Sequence, residues 1–260
     1  MLASVILTTY NQPSWLDKCL TGFTTQTYRQ FEVIVADDGS TDDTRDVIER
    51  IRTETEIPIQ HIWQPDEGFR KCRILNKAIL ASQSDYTIFT DGDCIPHPDF
   101  VKNHVALAEE NTFLSGGSIH LPIEISNLIS KEDILLGHST NPRWLLRNGF
   151  PYTPKILKLY SHPYWGSVLD FITTTRATWK KYLVAANGYN EEMQYGGLDR
   201  ELGERLINMG LNAKQIRHRA CCSHLEHDRH YVNQESILLN RQIREEIKRK
   251  KIQRTTYGLD

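Results

Sequence analysis

The sequence predicts an α/β fold, a mostly parallel central sheet with helices on both faces, and three observations carry that prediction. Short apolar runs with a β-branched bias, such as Val5-Ile6-Leu7, read as strands buried on both faces. Segments with apolar residues at helical spacing separate these runs, which is the alternation of βαβ crossovers. Polar sequences follow three of the strands: Thr8-Thr9-Tyr10-Asn11, Asp37-Asp38-Gly39-Ser40 and Asp91-Gly92-Asp93. In sheets of this kind, ligands bind beyond the carboxyl ends of the strands.

After the first strand, Pro13 and Ser14 open a helix, with Ser14 and Asp17 as a capping-box variant. Trp15, Leu16, Cys19, Leu20 and Phe23 form its inward stripe. Residues 31–36 return to a strand, and residues 41–53 read as a helix with Val47, Ile48 and Ile51 on one face. Ile59, His61 and Trp63 alternate as one face of a short strand. A helix over 70–82 packs through Ile74, Leu75, Ala78 and Ile79, and residues 86–90 are the next strand. Phe100, Val101, His104, Val105 and Ala108 mark another amphipathic helix. Residues 115–175, rich in Gly, Pro, Trp and Tyr and including Trp165-Gly166, show weak periodicity and are expected to be strands and loops covering the site. Helical spacing resumes over 178–186 and 199–209, residues 211–222 should contain a strand, and 235–251 a last helix.

Composition bounds the function without identifying it. The 260 residues carry 31 Lys and Arg against 33 Asp and Glu, which argues against a generally basic nucleic-acid binder. No apolar run approaches the roughly 18–20 residues of a membrane-spanning helix. The amino terminus has no cationic segment, so a cleaved secretory signal is not expected and a cytoplasmic location is. The 5 cysteines, at 19, 72, 94, 221 and 222, include no Cys-x-x-Cys pair and read as reduced core residues.

Four clusters can carry chemistry. Asp91 and Asp93 sit about 7 Å apart along a strand end, and paired carboxylates suit hard cations that share their shell with phosphates. Gly92 between them would let a ligand approach the backbone. Asp37 and Asp38 combine turn chemistry with carboxylates able to accept hydrogen bonds from a base or ribose. Asp199 follows Gly196-Gly197-Leu198 at a helix start, where the helix dipole favours its anion and the glycines would allow close approach of a ligand. His224 and His227 are three residues apart and can share one ion if the chain turns. Imidazole beside carboxylate favours Mn²⁺ over Mg²⁺. Each pattern alone is also ordinary turn, cap or surface sequence.

Taken together, the ordered segments resemble the family 2 glycosyltransferases of the GT-A (Rossmann-like) fold over roughly residues 3–230. The resemblance rests on residues 5–11, 33–40 and 89–93, on Asp66-Glu67-Gly68-Phe69-Arg70 with Asn76, and on Asn187-Gly188-Tyr189-Asn190 with Gly196-Gly197-Leu198-Asp199. The last two segments resemble the carboxyl-terminal half of β-1,4-galactosyltransferases and bacterial chondroitin-polymerase domains. The resemblance implies inverting transfer of a sugar from a nucleotide diphosphate donor, a UDP-sugar foremost, to a hydroxyl of a saccharide or lipid-linked acceptor. It implies Thr8, Tyr10 and Asp38 at the base and ribose, Asp91 at the ribose or metal, and Arg70 at the phosphates. It further implies Asp93 on a divalent cation with His224 or His227, Asp199 as general base, and a place in bacterial polysaccharide assembly. Two positions depart from the pattern: Leu198 stands in place of Glu, and Leu75 in place of an Arg before Asn76.

Two other readings fit less well. A sugar nucleotidyltransferase should carry a Gly- and Arg-rich loop after the first strand, where this chain has Thr8-Thr9-Tyr10-Asn11-Gln12-Pro13. A nucleotide-sugar-binding subunit without catalysis has no need of Asp93, Asp199 and the histidine pair together. Residues 231–260 are expected to form a basic helix and tail packed on, or extending from, the domain at 1–230. From Arg241 to Arg254 there are seven Lys or Arg and two Glu, so this face can rest peripherally on the anionic inner leaflet.

Overall fold

The computed structural model describes residues 1–151, 175–229 and 231–260. The first half follows the expected order: β1 (Ala3–Thr9), α1 (Pro13–Thr24), β2 (Phe31–Asp37), α2 (Asp42–Glu54), β3 (Ile59–Trp63), α3 (Lys71–Ala81) and β4 (Tyr86–Asp91). Next come β5 (Cys94–Pro96), α4 (Phe100–Ala106), β6 (Thr112–Ser115) and β7 (Gly117–His120). Short helices α5 (Ile123–Leu128), α6 (Lys131–Leu135) and α7 (Pro142–Arg147) follow. The chain then forms β8 (Arg176–Trp179), α8 (Lys180–Ala185), α9 (Leu198–Asn208), β9 (Asn212–Gln215), β10 (Cys221–His224) and α10 (Gln234–Lys250).

Among the described residues, one sheet has seven strands in the order β3-β2-β1-β4-β8-β6-β9, and a second has three, β5-β10-β7. β1 runs parallel to both β2 and β4, and β8 is antiparallel to both its neighbours. All seven residues of β1 are buried, and alternation sends them to two layers. Ala3, Val5 and Leu7 face the layer of α1, α2 and α4, while Ile6 faces that of α3, α8 and α9. The sandwiching of the sheet by helices is therefore the α/β arrangement that the apolar runs predict.

Four local expectations need correction. Pro13 is itself the first helical residue of α1, and Ser14 closes no capping box; Asp17 instead pairs with Arg50 at 2.8 Å. Residues 123–147 hold three short α-helices joined by turns rather than strands, with Ile125, Ile134 and Leu145 packed on Ile95 and Cys221. Helices of five or six residues are too short to display a period. Thr178 belongs to β8, where pairing with Thr87 overrides helical spacing, so the helix begins at Lys180. Residues 211–222 divide between β9 and β10, which lie in different sheets. Trp165-Gly166 falls outside the described residues.

The last helix lies on α9. Its Arg244 and Lys248 both reach the buried carboxylate of Glu204, and Asn240 donates to the carbonyls of Gln194, Tyr195 and Gly196. All five cysteines are free and buried, as composition suggested. No helix among the described residues is long and apolar enough to cross a membrane.

Candidate active site

The parallel strands β1, β2 and β4 end side by side, with Thr9 opposite Asp37 and Thr8 opposite Asp91. Thr8 Oγ1 donates to Asp91 Oδ1 at 2.8 Å, and Lys71 Nζ donates to the same oxygen at 2.6 Å. Gly92 is needed here by the fold itself. Its N–H donates to the Thr8 carbonyl at 2.7 Å, and a Cβ would lie 2.8 Å from that oxygen. The close approach seen here is by β1. Gly196 and Gly197 likewise face α10, against Ile237 and Arg244, and both have positive φ.

The aspartate pair after β2 divides its work. Asp37 closes its own turn, accepting from the Ser40 N–H at 2.8 Å and lying 2.9 Å from His61 Nε2. Asp38 accepts from Gln64 Nε2 at 2.6 Å and from the Arg70 N–H at 2.9 Å. Burial raises its carboxyl above the usual range, although those two donors favour the anion. Tyr10 is exposed and donates to Asp66 Oδ2 at 2.8 Å. The side chain of Arg70 is exposed and makes no ion pair among the described residues.

Asp199 enters from the opposite side, in the first turn of α9 after Gly197. The loop before it is held by Asn76, whose Oδ1 accepts from the Tyr189 N–H at 2.7 Å and whose Nδ2 donates to the Tyr189 carbonyl at 2.9 Å. Tyr189 in turn accepts at its hydroxyl from Arg176 Nε, 2.8 Å away. Arg176 is fully buried between the Phe89 and Tyr189 rings, and its Nη2 lies 2.6 Å from Asp199 Oδ1. This contact lacks hydrogen-bond alignment, since Asp199 Oδ1 has no such partner, so its attraction is chiefly Coulombic. Burial raises the Asp199 carboxyl, opposed by Arg176 and Lys71. For Asp91 the balance is reversed: burial opposes ionisation, but Lys71 and Arg176 prevail and hold the carboxyl at about 2.

Asp93 begins the second half of the site. Its Oδ2 lies 2.9 Å from His227 Nε2 and 3.6 Å from His224 Nε2, so both histidines face it. The hydrogen bond that Asp93 accepts from His227 raises the His227 imidazolium above its ordinary value in spite of burial. Donor atoms of Asp93, Cys94 and His224 lie within 4.8 Å of one another, and His224 Nδ1 is buried without a partner. Oxygen, nitrogen and sulfur donors that converge in this way fit a borderline divalent cation. At the edge of the site, the rings of Phe69, Tyr195 and Tyr231 pack together, with Tyr195 and Tyr231 centroids 5.2 Å apart.

Thr8, Asp91 and Asp199 are thus joined through Lys71 and Arg176, and Asp93 meets the histidine pair. Tyr10, Asp38 and Arg70 line the β1–β2 side. Lys71 and Arg176 escaped the motif reading. Lys71 lies one helical turn before the buried Leu75, and Arg176 is a lone cation in the run Thr173-Thr174-Thr175-Arg176-Ala177-Thr178. A single charge in a strand-forming run must find a partner when buried, which is the signal that could have exposed it. Leu198 is buried beside Leu202 and offers no polar group to the site.

Comparison with known proteins bears on the family and the fold. A family model described as Glycosyl transferase family 2 matches residues 4–167. The chain is similar to a chondroitin synthase of Escherichia coli, 26% identical over 235 residues that cover 82% of this chain and 33% of that protein. It is also similar to a hyaluronan synthase of Pasteurella multocida, 29% identical over 235 residues, with 82% and 23% covered. The chain therefore spans a third or less of the length of these curated relatives. Among solved structures, a mannosyltransferase from Pyrobaculum calidifontis in complex with GDP-Man and Mn²⁺ matches with TM-score 0.62 and 21% identity, over 88% of this chain and 58% of that one. S. aureus TarS 1-349 in complex with UDP-GlcNAc matches with TM-score 0.65 and 17% identity, over 96% and 69%. At such identities these likenesses speak to the fold.

Proposed function

The chain belongs to glycosyl transferase family 2, and from that premise we propose that it transfers a sugar from a nucleotide diphosphate donor, a UDP-sugar foremost, to a hydroxyl of a saccharide or lipid-linked acceptor. The observation that carries this is the meeting of two centres across the strand ends. Asp199 is gripped by Arg176, and Asp93 is flanked by His224 and His227. The relatives that assemble chondroitin and hyaluronan support a saccharide acceptor, as does the aromatic edge of Phe69, Tyr195 and Tyr231, whose apolar faces suit a sugar ring.

The reaction is a single displacement with inversion. Asp199 takes the proton of the acceptor hydroxyl as that oxygen attacks the anomeric carbon. Its raised carboxyl makes it more basic than an exposed Asp. Asp38, Tyr10 and Thr8 orient the base and ribose, Arg70 reaches the phosphates, and Asp91 stays ionised beside the ribose. A divalent cation held by Asp93 with His224 or His227, Mn²⁺ in preference to Mg²⁺, would offset the charge that develops on the leaving diphosphate. No covalent sugar–enzyme intermediate is required, so a second carboxylate nucleophile is not needed.

A panel of UDP-, GDP- and dTDP-sugars in thermal-shift assays, with and without Mn²⁺, tests the donor. One nucleotide class should raise Tm only with metal present, and at a hundredfold excess over Kd the gain is about 2.7 kcal/mol. No stabilisation by any donor would remove the proposal. Asp93→Ala should weaken Mn²⁺-dependent donor binding; unchanged affinity by calorimetry would take Asp93 out of the metal shell. The basic helix adds peripheral contact with an anionic leaflet, because Arg249 and Lys251 stay exposed while Arg244 and Lys248 are committed to Glu204 and Lys250 to Glu246. Flotation with anionic liposomes at low salt should show it, and failure to float would end it.

A further inference from the structure

The cation site contains a donor that the proposed reaction leaves idle, the thiol of Cys94. Cys94 opens β5 directly opposite His224 of β10, and β7 places His120 beside His224 on its other flank. Partners across a ladder project from the same face of a sheet. Cys94, His224 and His120 therefore form a row across the small sheet, with the His120 and His224 rings 4.5 Å apart. Asp93 closes one end of that row. The Cys94 thiol already donates to Asp93 Oδ1 at 3.3 Å, on the carboxylate oxygen not faced by the two histidines.

Three donor types are thereby aimed at one volume. The ligand atoms of Asp93, Cys94 and His224 all lie within 4.8 Å of one another, with His224 Nε2 3.6 Å from Asp93 Oδ2. A buried cysteine is most often inert packing. Packing alone does not account for a thiol directed at a carboxylate beside a facing imidazole.

We propose that Cys94 binds the cation as a thiolate beside Asp93 and His224, so that the site accepts thiophilic divalent ions such as Co²⁺, Zn²⁺ and Cd²⁺ as well as Mn²⁺. This rests on the reading of Asp93 and His224 as the cation site. The arriving ion forms a bond to Sγ as the S–H bond breaks, and the proton leaves to solvent; no electron is transferred. Sulfur in the donor set shifts preference from hard toward softer ions. The oxygen-and-imidazole shell of the motif reading therefore becomes one in which Co²⁺ and Zn²⁺ compete with Mn²⁺.

Titration of the full chain with Co²⁺ in the presence of UDP tests this without an activity assay. Wild type and Cys222→Ser should develop a thiolate-to-cobalt charge-transfer band in the near ultraviolet at one equivalent. Cys94→Ser should lack the band while calorimetry still detects Co²⁺. Co²⁺ bound to wild type without the band, or a band that persists in Cys94→Ser, would overturn the Cys94 assignment alone. Should no divalent ion bind, or should Asp93→Ala bind Co²⁺ as tightly as wild type, the underlying cation site fails with it. If Cys94→Ser does not fold, the wild-type band and its loss in Asp93→Ala decide: a band kept in Asp93→Ala refutes the assignment.

Discussion

As the proposed base, Asp199 would have to be ionised to receive a proton and basic enough to keep it, and its surroundings pull both ways. Burial raises its carboxyl, and so does Asp91; Arg176, Lys71 and the Tyr189 hydroxyl lower it. Replacing Arg176 by Gln removes the largest opposing influence, so the Asp199 carboxyl should rise further and the acidic limb of the pH–rate profile should move to higher pH. Arg176→Lys should move it less. A limb that stays in place in Arg176→Gln would detach Arg176 from the base. Asp91 carries the opposite sign. Its carboxyl is held at about 2, below the ordinary value of about 3.9. A depressed folded-state value stabilises the fold above the ordinary one, and that contribution, on the order of 2 kcal/mol, fades as pH falls toward about 2. Lys71→Met should therefore shift acid unfolding to higher pH, as followed by circular dichroism; an unshifted midpoint would contradict the Lys71–Asp91 pairing. The motif aspartates and histidines were legible because their residue types and order carry the chemistry. Their cationic partners were not, because Lys71 and Arg176 come from a helix start and an antiparallel strand that no linear spacing joins.

Among the elements, the loop from Asn187 to Asn190 depends on braces distant in sequence. Arg205 and Glu201, both fully buried on α9, pair through Arg205 Nη2 and Glu201 Oε2 at 2.7 Å. The same Nη2 donates to the Gly188 carbonyl at 2.7 Å, which ties α9 to the loop that carries Tyr189. Arg205→Met leaves a buried carboxylate uncompensated and should cost about 3–5 kcal/mol in urea unfolding. A loss below about 1 kcal/mol would mean that water reaches Glu201. Gly92→Ala places a methyl 2.8 Å from the Thr8 carbonyl, and overpacking of that kind costs roughly 1–3 kcal/mol. It should weaken donor binding as well, since Thr8 also holds Asp91; full donor affinity in a destabilised Gly92→Ala protein would separate the turn from the site. The long elements of the first half were readable, since a strand buried on both faces reads as an apolar run and a helix of eleven residues shows its period. Helices α5 to α7 were not, because one or two turns leave too few apolar positions. The Gly-Gly pair before Asp199 has positive φ values that let the chain turn against α10, a packing role that its linear sequence does not announce.

Across the whole molecule, 31 basic against 33 acidic residues is an average that conceals an uneven distribution. The end of β4 and the start of α9 bring together Asp91, Asp93 and Asp199, yet Lys71 and Arg176 lie among them, so two of the three carboxylates have an internal counter-charge. Asp93, attended by His224 and His227, is the carboxylate left to meet an external cation. That division separates a neutralised half, suited to holding a base and a sugar, from a half suited to metal and diphosphate. It yields a direct test of the central claim once a donor and acceptor are in hand. Transfer and Mn²⁺-dependent donor binding should be measured together on Asp199→Asn, whose amide cannot accept the acceptor proton as a carboxylate does. The prediction is loss of transfer by about 10²–10⁴-fold, with donor affinity close to that of the unaltered protein. Transfer at the unaltered rate would contradict the assignment of Asp199 as the base.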